Sequence, residues 1–179
     1  MRSAAFVLLL VLAPAIASAQ QTQPPTRAEV RAMLSGIEDV PTDADFRRLG
    51  DAVLPILIEL YADPNEAPFV RLRAVGAAGA FPREATRTFL LAVANAEGQS
   101  DLFVREAVLA LARAFGPRAA SDLRRFLSHP QPIVRESAAR ALGRVGTREA
   151  ADALRARLPV ERDAVVREAI QAAIQAALR

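Results

Sequence analysis

The chain has 179 residues, 52% of them hydrophobic and only 5% aromatic, and it contains no cysteine, so disulfides, thiol nucleophiles and thiolate metal sites are excluded. Twenty-three basic residues, all of them arginine, face 20 acidic ones. The calculated pI of 10.7 therefore reflects the high pKa of arginine acting on a small charge excess, not the stripe of unpaired cations that a nucleic-acid partner demands.

Arg2 precedes an apolar run from Ala4 to Ala13, followed by Pro14 and the small residues Ala17 and Ala19. A single positive charge, a core too short for the roughly 20 residues of a spanning helix, and small residues at its end describe a secretory signal peptide over 1–19. Cleavage is expected before Gln20, which leaves no stable membrane anchor and predicts a periplasmic or secreted bacterial protein. Residues 20–26 carry two prolines and no apolar side chain, so they read as a disordered linker. The folded domain is expected over 27–179.

Val30, Met33, Leu34 and Ile37 give a first amphipathic pattern that stops between Gly36 and Pro41, and Thr42-Asp43-Ala44-Asp45 reads as the cap of a second. Residues 27–50 are assigned to an N-terminal cap. Leu54 to Ala62 is the most apolar stretch after the signal. Pro55 fits either the first turn of a buried helix or a kink in a longer one.

From Val70 onward the pattern repeats. Val70-Arg71, Val104-Arg105, Val134-Arg135 and Val166-Arg167 are 34, 30 and 32 residues apart. Each opens apolar positions at offsets of about 4, 7 to 8 and 11, which trace one face of a helix. The first three end in Phe81-Pro82, Gly116-Pro117 and Gly146-Thr147, punctuation suited to tight turns into returning helices. Those returning helices carry Phe89 and Val93, Leu123 and Leu127, and Leu154 and Leu158. The last segment, 164–179, has only a first helix and reads as a C-terminal capping helix. Ile174 and Leu178 at its end make a homodimer the alternative to a monomer.

The run from Val134 to Ala150, with its Val-Arg-x-x-Ala-x-x-Ala-Leu-Gly-x-x-Gly core, resembles the HEAT repeat in the short form known from phycobilisome bilin lyases. The resemblance covers 51–179 well and 27–50 poorly. It departs at Arg113, which stands where Gly143 does, and at Phe81, which has no glycine before Pro82. It implies an all-α, right-handed superhelical solenoid of antiparallel helix pairs with the second helices lining the inner surface.

Two sets of charged residues follow from this arrangement. Arg71, Arg105, Arg135 and Arg167 near first-helix N-termini oppose the helix dipole, so they are expected to form a structural ladder with loop acids such as Asp63, Asp101 and Asp163. Arg83, Arg87, Arg118, Asp122, Arg125, Arg148, Asp152 and Arg155 on the second helices would give the inner surface both charge signs, suited to a protein or peptide. His129, the lone histidine, lies in the loop Ser128-His129-Pro130 and reads as exposed. Tyr61 reads as packed.

No catalytic, cofactor or metal constellation stands out. The Val75-Gly76-Ala77-Ala78-Gly79 run lies inside a helix with no strand before it, so close helix packing explains its glycines better than a nucleotide does. The expected function is a non-catalytic protein-binding scaffold or adaptor of the bacterial envelope, without cofactor. The alternatives are a bilin-lyase-like cofactor-handling protein and a nucleic-acid-binding HEAT-like protein.

Overall fold

The computed structural model describes residues 24–36 and 40–177, so the signal segment, most of the linker, Ile37 and Leu178 lie outside the described residues. Among the described residues there are ten α-helices and no strand. They are α1 (Arg27–Ser35), α2 (Asp43–Arg48), α3 (Val53–Ala62), α4 (Pro68–Ala78), α5 (Glu84–Asn95), α6 (Asp101–Phe115), α7 (Ala120–Arg124), α8 (Pro132–Val145), α9 (Arg148–Arg157) and α10 (Ala164–Ala177).

Short polar signals set the boundaries. Thr26 and Glu29 form a reciprocal capping box at α1, and Thr42 and Asp45 do the same at α2. Gly50, at φ 83°, lets the chain reverse after α2, a left-handed conformation that a β-carbon resists. Pro55 then sits in the first turn of α3, a helix separate from α2, which decides between the two readings of that proline. Pro68 and Pro132 occupy the first positions of α4 and α8, where no hydrogen bond is lost. Gly146, at φ 67°, ends α8 in a left-handed cap whose N–H donates to the Leu142 carbonyl.

Packing follows the repeat. The first helices α4, α6, α8 and α10 lie side by side, each against the next, while α5, α7 and α9 fill the second layer. The result is an α-solenoid of helix pairs with one continuous core of Leu, Val, Ala and Phe. α1 packs on both α3 and α4, as a first helix does on its own partner and on the next pair. Residues 27–62 thus form a genuine pair, α1 with α3, interrupted by the short α2.

The returning helix after Gly116 departs from expectation. It is α-helical only over α7 and 3-10 helical at Gly116–Ala119 and Arg125–Ser128. Residues three apart eclipse in a 3-10 turn, so Leu123 and Phe126 both reach the core along with Leu127. At the other end, Val166, Ala169, Ile170 and Ala173 of α10 are buried against α8, and Ile174 is partly buried against the same core instead of protruding.

The glycines divide. A β-carbon on Gly143 would stand 2.7 Å from the Cα of Ala173, so this residue lets α8 and α10 touch backbone to backbone. Gly76 is different: its β-carbon would meet the carboxylate of Glu106, 2.5 Å away, and no neighbouring backbone. Close helix packing explains Gly143, and also Gly79, whose β-carbon would stand 3.2 Å from the Ala110 Cβ of α6, whereas at Gly76 the nearest neighbour is the end of the Glu106 side chain.

Candidate functional site

The expected arginine ladder is only partly formed, and by other acids. Arg135 grips Glu161 with two parallel bonds of 2.8 Å, from Nε and Nη2, while its Nη1 donates to the carbonyls of His129 and Pro130. Glu161 also accepts from Arg157 at 2.8 Å and from the backbone N–H groups of Arg162 and Asp163 at 3.0 Å. These donors, Arg135 foremost, hold its carboxyl down to a pKa of about 2 although burial works the other way. The glutamate joins the end of the α8/α9 pair to its beginning.

Arg31 does the same for the first pair, donating from Nε to the buried Glu66 at 2.8 Å. Val30-Arg31 is a further copy of the Val-Arg phrase, which sequence spacing hid because the inserted α2 sets it forty residues before Val70. Arg71 donates to the Tyr61 carbonyl at 2.8 Å and stacks on the rings of Tyr61 and Phe103. Tyr61 is packed as expected, edge-on to Phe89 and Phe103, with its hydroxyl accepting from Gln99. Arg105 and Arg167 are exposed and have no ion pair among the described residues.

The anticipated ladder partners are occupied. Asp63 accepts from the Asn65 N–H and pairs with Arg27, and Asp163 caps α10 by accepting from Val165 and Val166. Asp101 begins α6, where its charge suits the helix dipole. His129 is half-buried, not exposed, because Arg135 spans its loop and its Nδ1 accepts from the Gln131 N–H.

On the second helices the structure brings several of the expected charges together, and they neutralise one another. Arg87 of α5 pairs with Asp122 of α7 at 2.8 Å, and Asp152 takes Arg155 at 2.9 Å and Arg148 at 3.9 Å within α9. Arg83 grips Asp51 with both arms of its guanidinium. Arg118 and Arg125 have no ion pair among the described residues, and lie over the rings of Phe115 and Phe126. Each aspartate on this face already has an arginine, so the charge left without an ion pair there is positive, that of Arg118 and Arg125.

A second surface has the opposite character. Phe69, Leu102, Ile133 and Val165 are each the second residue of α4, α6, α8 and α10, and they expose 51%, 51%, 37% and 59% of their surface. These helices stand side by side, so the four side chains lie along the edge formed by their first turns; Phe69, Ile133 and Val165 immediately precede the buried valine of their repeats, whereas Leu102 stands one position earlier and its equivalent Phe103 is partly buried. Adjacent packed helices are about 8–10 Å apart, which sets the spacing of the rungs. A single exposed leucine is ordinary, whereas an exposed apolar residue in the first turn of four consecutive first helices is a patterned surface. The signal lay in the sequence, at the residue or two ahead of each Val-Arg and outside the buried stripe.

Residues 96–175 match the family model for HEAT repeats. The match spans α6 to α10, so that part of the solenoid is similar to HEAT repeats, which commonly serve as protein-interaction scaffolds and are generally non-catalytic. A comparison with curated proteins finds no match.

Proposed function

We propose that the protein is an exported, non-catalytic scaffold that holds another polypeptide in the bacterial envelope, along the edge formed by Phe69, Leu102, Ile133 and Val165. The observation that carries this reading is the four-rung apolar row, on a fold whose repeats commonly bind proteins. Rungs about 10 Å apart suit a partner helix with an apolar residue at every seventh position, since seven residues rise ~10 Å. The N-terminal pattern of residues 1–19 supports export and cleavage before Gln20.

The test is to express the full chain in a bacterial host, read the mature N-terminus by mass spectrometry and crosslink the protein in the envelope. A Leu102→Asp/Ile133→Asp variant is expected to keep its helical circular dichroism and lose the partner that the parent captures, with affinity reduced about tenfold or more. A charge-reversal variant at Arg118, Arg125 and Arg155 is expected to retain it. The reverse pattern would transfer binding to the second-helix face, and a retained N-terminal segment would remove the export reading.

A further inference from the structure

Between α2, α4 and α6 lies a cavity of about 380 Å³, within the usual size of small-ligand sites, lined by apolar groups including Leu34, Phe46, Leu72 and Ala77. Glu106 enters it from α6, and its carboxylate lies over the bare Cα of Gly76 on α4. Among the described residues no hydrogen bond or ion pair reaches that carboxylate, and the two arginines that line the cavity donate elsewhere. Arg113 pairs through Nε with Asp43 at 2.9 Å and donates from Nη2 to the Gly76 carbonyl. Arg73 donates to the carbonyls of Leu34 and Gly36 at 2.8 and 2.6 Å, with its guanidinium against the Phe69 ring. Burial raises the Glu106 carboxyl above its ordinary range, with Arg113 and Arg105 opposing the shift.

The Glu106 carboxylate is half-buried at the mouth of this apolar recess and has acceptor capacity for several donors. We propose that this cavity binds a protonated amine carried on an aliphatic chain, the ammonium donating to Glu106 and the chain lying along Leu72, Ala77 and Phe46. Arg113 is already neutralised by Asp43. Of the other two charges lining the recess, Arg73 is turned onto the Leu34 and Gly36 carbonyls and the Phe69 ring, whereas Glu106 alone has no partner among the described residues, so an anion meets a carboxylate there. A neutral apolar ligand would leave the carboxylate dry and unpaired. Gly76 completes the site by giving the carboxylate its seat. This inference is separate from the apolar edge and stands or falls without it.

The experiment is a titration of the ¹⁵N-labelled protein, followed at the Gly76 and Ala77 amides, with n-hexylammonium, 1-hexanol and hexanoate. Hexylammonium is expected to bind saturably and about tenfold or more tighter than hexanol, with hexanoate weakest. Glu106→Gln should bring hexylammonium down to the level of hexanol. Gly76→Ala, which displaces the carboxylate without altering any charge, should weaken the amine about tenfold and hexanol less. Equal binding of hexanol or hexanoate, an amine preference that survives Glu106→Gln, or no binding of hexylammonium at the cavity would each overturn the proposal. Blocked lysine in a parallel titration separates two sources of the same group: tighter binding than hexylammonium assigns a protein side chain, weaker binding a free amine.

Discussion

Glu161→Gln is expected to lower the stability of the protein by about 3 kcal/mol at pH 7, the largest effect of any single charged residue described. The carboxylate is almost wholly buried and receives two guanidinium groups and two backbone N–H groups, so the amide leaves donors facing donors in a site water does not reach. The pH dependence follows from the direction of its pKa. A carboxyl lowered from 4.5 to about 2 contributes its full stabilisation above the unfolded value and loses it as pH falls between these two figures. The shift alone corresponds to about 3 kcal/mol. Urea unfolding of parent and variant should therefore differ most at neutral pH and converge near pH 2. A difference that stayed constant from pH 7 to pH 2.5 would mean that the carboxylate's charge is not what the loop depends on.

The same substitution at two glycines should act with opposite sign. Gly143→Ala is expected to cost about 2 kcal/mol, because its methyl group would lie 2.7 Å from the Cα and Cβ of Ala173 and only separation of α8 from α10 relieves the contact. Gly76→Ala is expected to stabilise by up to about 1 kcal/mol through helix propensity, since the atom in its way is the end of the Glu106 side chain, which can rotate outward. Thermal unfolding of the two variants under one buffer decides the matter. Equal losses at both sites would show that Gly76 also serves backbone packing.

The repeat and its helix pairs were legible because they depend on spacing, and spacing survives in a linear string. The Val-Arg phrase, the apolar offsets and the Gly-Pro turns together placed α4 to α10, while the 3-10 segments around α7 and at Leu158–Val160 escaped. Val30-Arg31 was hidden by an insertion, since α2 lengthens the interval beyond the period. The ladder partners were misassigned for a reason of side-chain length. Asp163 is taken up by the first N–H groups of α10 and Asp63 by Asn65 and Arg27, whereas the longer Glu66 and Glu161 reach the arginines of the Val-Arg phrase. Glu106 was unreadable as part of a cavity, because α2 closes that recess from a distant part of the chain. The apolar edge was readable in principle, but it is a periodicity of exposure, and sequence patterns are read for burial.

The placement of the two arginine–glutamate grips bears on how the array comes apart. They fasten the α1/α3 pair and the α8/α9 pair, the first and last complete pairs, while neither pair between them has such a grip and the second helix of the α6/α7 pair is broken by two 3-10 stretches. Stacked repeats ordinarily fray from their ends, where a neighbour is missing. Here the ends are pinned and the compliant joint is central, so amide exchange should be fastest around Gly116 to Ser128 and slow on either side. A partner laid across all four apolar rungs would bridge that joint and splint the two halves into one rigid rod.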